Sequence, residues 1–131
     1  MRPTTTRLHQ VAQRAEDLDR AQAFYGDTLG LRFVARFDPP GLVFFDLGNT
    51  RLLLEQGAPP ALLYLEVVDI DATTAALTEA GVTFVDKPHP IYRDDAGTFG
   101  PPGVEEWMVF FHDSEQNPVC LVERRRPAAQ E

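Results

Sequence analysis

The chain contains an internal repeat, and that repeat limits the folds open to it more than any single motif does. Residues 17–34 read DLDRAQAFYGDTLGLRFV, and residues 69–85 read DIDATTAALTEAGVTFV. Each begins Asp-apolar-Asp, passes through a helix-like run to a glycine, and closes in a short strand-like run on Phe-Val. Each is followed by a Val-Phe-Phe run, Val43 to Phe45 and Val109 to Phe111. An apolar strand ending in glutamate comes next in both, Arg51 to Glu55 and Pro118 to Glu123. Two such copies imply a single domain over residues 1–131, built from modules 6–56 and 61–124.

Local chemistry assigns the elements. Asp17 or Asp19 can cap a helix by accepting from free first-turn amides. Leu18, Ala21, Tyr25 and Leu29 then share a helical face, and Gly30 suits the left-handed stop. Residues 7–13, 31–37, 42–47 and 51–55 read as strands, the last two as a hairpin around Gly48-Asn49. In the second module, 61–68 reads as a strand, 70–80 as a helix, 82–85 as a strand, and 106–112 with 118–123 as the closing pair. The expected class is α+β: two paired βαβββ modules forming a curved mixed sheet around a central cleft. Residues 86–105, DKPHPIYRDDAGTFGPPGVE, break the symmetry. Loops of that length are often lids or binding loops, the alternative being a solvated insertion.

Composition narrows the partners. A net charge of -8 argues against nucleic acid, which needs basic stripes to replace phosphate counterions. The one dense basic run, Arg124-Arg125-Arg126, reads as a frayed terminus. Cys120 is the single cysteine, so no internal disulfide can form and a reducing cytoplasm is the expected setting. Its apolar neighbours mark it as a buried small hydrophobe. No apolar run reaches the roughly 20 residues of a membrane span, and no signal-peptide core is present, so no membrane partner is expected.

Three segments carry a family resemblance: LHQVAQRAEDLDRAQAFYGDTLGLRFV, YLEVVDIDATTAALTEAGVTFV and FFHDSEQNPVCLVE. Together they resemble the vicinal oxygen chelate superfamily, which includes glyoxalase I, methylmalonyl-CoA epimerase, extradiol dioxygenases and the bleomycin and fosfomycin resistance proteins. The last segment is similar to that family's Phe-Phe-x-Asp-Pro-Asp-Gly-Asn signature, with Ser114, Glu115 and Gln116 in place of Pro-Asp-Gly. The resemblance implies a divalent metal held by one residue from each of four strands. Carried over singly, those positions are His9, Leu53, Leu62 and Cys120, of which only His9 suits a metal. A shifted site is the alternative: Glu55 shares a face with Leu53, and His9, Glu55 and His89 could approach one cavity, with a bulge re-aiming His9. Glu123, three residues from Cys120, falls on the other face.

Further candidates surround the expected cleft. His89, between two prolines, could act as a general base or ligand contact, or be an exposed loop histidine. His112 reads as surface. Tyr64 and Trp107 can stack on an organic ligand or simply pack in the core. Arg93 could clamp a carboxylate or phosphate. Phe24-Tyr25 reads as packing against the sheet. No P-loop, dinucleotide fingerprint or nucleophile elbow is present.

Two functional readings stand. One is a lyase, isomerase or dioxygenase-like enzyme acting on a small oxygen-rich molecule, with His9, Glu55 and His89 as metal or acid-base groups. The other is a metal-free binding protein of the bleomycin-resistance kind, gripping its ligand through Tyr64, Arg93, Trp107 and apolar neighbours. The resemblance also implies a homodimer.

Overall fold

The computed structural model describes Pro3 and residues 7–126. It resolves into two compact units. The first runs through Ala61 and takes in Asp113–Asn117; the second holds Leu62–His112 and the chain from Pro118 on.

In the first unit, β1 (Gln10–Arg14) leads to α1 (Leu18–Ala23), which continues as a π-helical turn over Phe24–Thr28. Strands β2 (Arg32–Phe37), β3 (Leu42–Asp46) and β4 (Arg51–Glu55) follow. The sheet order is β1-β4-β3-β2, with β1 parallel to β4 and the other pairs antiparallel. Of the two candidate caps, Asp17 is the one used: its carboxylate accepts from the Arg20 amide at 3.0 Å. Gly30 takes φ +75°, where a β-carbon would be strained, and ends the helical segment. Alternation along β3 and β4 sends Val43, Phe45, Leu52 and Leu54 to the helix side, where all are fully buried with Tyr25. Each such side chain contributes about 1.5–3 kcal/mol by leaving water. Fully buried Gln13 sits on the same side, and its amide group binds both the N–H and the carbonyl of Ala61.

The second unit contains β5 (Leu63–Glu66), α2 (Ile70–Glu79), β6 (His89–Asp94), β7 (Val104–His112) and β8 (Pro118–Arg125). Its sheet order, β5-β8-β7-β6, matches the first, with one parallel pair. The fold class is therefore α+β, two βαβββ modules each forming a four-stranded mixed sheet.

Two expectations are corrected here. Residues 82–85 form no strand; Phe84 makes a single bridge to Phe111, their rings edge-on at 5.4 Å. The strand pairing with β7 is His89–Asp94, inside the segment read as a long loop, so only the stretch between Asp94 and Val104 is turn. The cause is the length of β7, nine residues against five in β3. Phe84 meets the far end of β7, and the chain must travel past Asp86-Lys87-Pro88 before it can pair with Val104 to Met108. The second correction concerns the basic tail. Arg124 and Arg125 belong to β8 and are ion-paired, Arg124 with Glu106 at 2.9 Å and Arg125 with Glu123 and Asp71 at 2.7 and 2.9 Å. Among the described residues no helix is long and apolar enough to cross a membrane.

Candidate functional site

Each helix covers one face of its sheet. The other face, open in that no helix covers it, carries buried side chains such as Leu53 and Cys120 beside exposed ones such as Phe37 and Tyr64. On the first sheet the register places Gln10 beside Arg51, Ala12 beside Leu53 and Leu53 beside Phe44, all on the open side. A bulge between Phe33 and Ala35 inserts Val34, so Phe33 faces Phe45 while Ala35 faces Phe44. The small Ala35 side chain leaves space there. A cavity of about 320 Å³ results, lined by Val34, Ala35, Phe37, Phe44 and Arg51. Phe37 and Phe44 meet edge to face at 6.0 Å. The Arg51 guanidinium lies 5.2 Å from the centre of the Phe44 ring, and its Nε donates to Gln10 Oε1 at 2.7 Å. A larger hollow of about 590 Å³ at the start of α1 is charged and already self-paired: Arg36 holds Asp38 at 2.6 Å and Asp19 at 2.7 Å.

The residues singled out from sequence fall as follows. His9 precedes β1 and lines a small hollow with Arg7, Asp46 and Asn49, where Arg7 donates to the Asn49 carbonyl. Strand β1 pairs with β4 without a bulge from Gln10 to Arg14, so nothing re-aims His9. Glu55 is the partner of Arg14, at the opposite end of the same parallel pair. Five residues of strand, about 16 Å, separate the levels of His9 and Glu55, and the structure does not bring them together. His89 is exposed on β6, with Nδ1 2.8 Å from the Lys87 carbonyl and 3.9 Å from the Asp86 carboxylate. Arg93 is paired with Asp95 at 2.7 Å.

Tyr64 is 54% exposed on the open face of the second sheet, opposite Cys120 and edge-on to Phe110 at 6.3 Å. Trp107 lies on the other face of that sheet, opposite Glu123. The Arg125 guanidinium covers its ring at 4.0 Å, so Tyr64 and Trp107 cannot share one ligand face. Glu123 is on the helix side, as its spacing from Cys120 indicates, and accepts from the Ile70 amide at 2.8 Å. His112 is exposed.

The family's metal does not fit these residues. Leu53, which is buried, and Leu62 have no donor atoms. The buried Cys120 thiol is pushed up to about 11 by burial, which disfavours the thiolate a metal needs. Among the described residues no group of three or more His, Cys, Asp or Glu side chains could hold an ion.

The signature turn is structural. Asp113 accepts from the Tyr25 hydroxyl at 2.6 Å and from the amides of Glu115 and Asn117 at 2.8 Å. Burial and the Asp113 carboxylate together raise the Tyr25 phenol far above its ordinary range. Glu115 accepts from the Asp17 amide and from Arg20. Burial alone would raise the Glu115 carboxyl, but the bonds from Arg20, Asp17 and Ser114 outweigh it and bring it to about 2.

Sequence reading missed Arg51, Phe44, Phe37 and Ala35. One signal was available: in Val43-Phe44-Phe45 the middle residue must face away from the helix, leaving an aromatic ring on the open side.

A family model described as Glyoxalase/Bleomycin resistance protein/Dioxygenase superfamily matches residues 7–121. A glyoxylase-like domain-containing protein of Didymella fabae is 30% identical over 122 residues, covering 84% of this chain and 88% of the relative. The crystal structure of a member of the same superfamily from Sphaerobacter thermophilus has a TM-score of 0.71 at 27% identity, over 92% of this chain and 98% of that one. TnmS3, an antibiotic binding protein from a Streptomyces species, shares the fold with a TM-score of 0.77 at 21% identity, over 94% of this chain and 99% of its own. With the paired modules and the family-model match over most of its length, the chain belongs to the Glyoxalase/Bleomycin resistance protein/Dioxygenase superfamily.

Proposed function

We propose that the protein binds a small organic molecule against the open face of its first sheet and holds it without a metal, in the manner of the bleomycin-resistance branch of its superfamily. The observation that carries this reading is the cavity of about 320 Å³, whose lining is four apolar side chains and one guanidinium. Concave apolar sites with a few placed polar groups are what small ligands occupy. The enzyme reading requires converging ligands or an acid-base pair, and the placement of His9 and Glu55 at opposite ends of the β1–β4 pair supports the binding reading over it. A homodimer remains part of the proposal, checked by light scattering on the purified chain, and so does a cytoplasmic setting, checked by cell fractionation.

Thermal-shift screening of a small-molecule library, with and without EDTA, tests the reading. A ligand at a hundred times its Kd should stabilise the protein by about 2.7 kcal/mol, equally in both conditions, and be recovered unchanged. Replacing Ala35 by Phe, which intrudes into the cavity, should abolish or strongly reduce the shift. A tightly held stoichiometric metal, or consumption of the ligand, would return the protein to the enzyme class.

A further inference from the structure

Resting on the open-face reading above, we infer that the ligand of this cavity is a one- or two-ring aromatic molecule carrying a carboxylate. The size comes first. A volume of about 320 Å³ is at the low end for organic ligands, enough for one or two fused rings. Its walls suit a flat ring: Phe37 and Phe44 stand edge to face at an interplanar angle of 75°, so a third ring can stack on one and present its edge to the other. Ala35 is the smallest of the five lining residues, and a larger side chain there would take up part of the space.

The charge comes from Arg51. Arg20, Arg32, Arg36, Arg93, Arg124 and Arg125 each hold a carboxylate at 2.6 to 3.3 Å. Arg51 is exposed and, like Arg7, Arg14 and Arg126, has no such partner among the described residues; of these four it is the one that lines the cavity. The nearest cross-strand acid, Asp46, is committed, with Oδ2 to Arg32 at 3.3 Å and Oδ1 to the Gly48 amide at 2.9 Å. Arg51 spends only Nε, on the neutral amide oxygen of Gln10. That bond and the Phe44 ring set the plane of the guanidinium at the cavity edge, leaving the two terminal nitrogens for a carboxylate, which they can bind as a pair.

Isothermal titration with 2-naphthoate and its neutral counterpart 2-naphthamide tests this, with circular dichroism as the check that each variant folds. The wild-type protein should bind naphthoate about tenfold or more tighter than naphthamide, the gain from hydrogen bonds to a charged group. Arg51→Met should bring naphthoate down to the affinity of naphthamide and leave naphthamide nearly unchanged. Ala35→Phe should remove both. Equal affinities in the wild type, or a preference that survives Arg51→Met, overturns the carboxylate while leaving the open-face site standing. No binding of either compound overturns the ligand class. Binding of both that survives Ala35→Phe overturns the site itself, and with it the proposed function.

Discussion

The two units share an element order and a sheet order, yet they fasten their helices by different chemistry. In the first, α1 and the π turn are held by Asp113–Asn117, a segment some ninety residues further along the chain. Tyr25 donates to Asp113 at 2.6 Å, Glu115 grips Asp17 and Arg20, and the Asn117 side chain donates to the Arg14 carbonyl at 2.8 Å. In the second, α2 is held by a neighbouring strand. Glu123 on β8 accepts from the Ile70 amide, and Arg125 joins Glu123 to Asp71 across the face of Trp107. Both anchoring carboxylates, Glu115 and Glu123, are buried and multiply bonded. The first set adds the buried Tyr25–Asp113 bond, whereas the second adds the Arg125–Asp71 pair, whose carboxylate is exposed. The difference shows that a duplicated module can keep its strand order while the helix attachment is rebuilt around whatever segment lies beside it.

The largest expected effect follows directly. Asp113→Ala removes the acceptor for a buried phenol, the Asn117 side chain and two backbone amides at once. Leaving such groups unpaired should cost about 3–5 kcal/mol in urea unfolding. Glu123→Ala strips the acceptor from the Ile70 amide and leaves Arg125 paired with Asp71 alone, and should cost about 1–2 kcal/mol. Equal losses from the two substitutions would break the comparison.

Acid should separate the units in the same direction. The Glu115 carboxyl titrates at about 2 in the folded protein, below the ordinary carboxylate range it returns to on unfolding. A lowered folded value means the unfolded chain takes up the proton first. The stabilisation is therefore complete above about pH 4.5 and lost as the pH falls towards about 2, amounting to about 3 kcal/mol. Glu123 is also lowered, chiefly by its bond from Arg125, and loses stabilisation in the same sense. Unfolding measured between pH 6 and pH 2 should show a shallower acid dependence in Glu115→Gln. An unchanged slope would mean that the Arg20–Glu115 pair contributes nothing.

What the sequence revealed was mostly local. Caps, glycine stops and apolar spacing are written within a few residues, so both helices and most strands could be read directly. The position of β6 could not, because it depends on how far a nine-residue β7 runs back from Phe111 towards Val104 and on a bulge between Pro90 and Tyr92. Arg124 and Arg125 looked like a tail because their partners Glu106 and Asp71 are distant in sequence. The separation of His9 from Glu55 was hidden for a related reason. His9 and Glu55 belong to adjacent strands, but the parallel register that places them at opposite ends is a tertiary fact. Arg51 carries no motif at all; its interest comes from the ring beneath it and from having no carboxylate partner among the described residues.

The smallest effect lies inside the turn that distinguishes the first unit. Gln116 occupies φ +67°, the one non-glycine residue with positive φ among the described residues, at the place where the family signature has glycine. A side chain there costs about 1–2 kcal/mol relative to glycine. Gln116→Gly would relieve that strain but also loosen the unfolded chain, which takes back about 0.5–1 kcal/mol. The net expectation is a gain of about 0.5 kcal/mol in urea unfolding, with the m-value unchanged. The gain should survive in Arg20→Ala, because the backbone strain does not depend on the ion pair at Glu115. In Asp113→Ala it should shrink, because Asp113 supplies the bonds to the Glu115 and Asn117 amides that hold Gln116 in this conformation. A loss of stability in the Gln116→Gly protein would mean that the glutamine side chain contributes more to the turn than its backbone strain costs, and that this signature position has been rebuilt rather than merely tolerated.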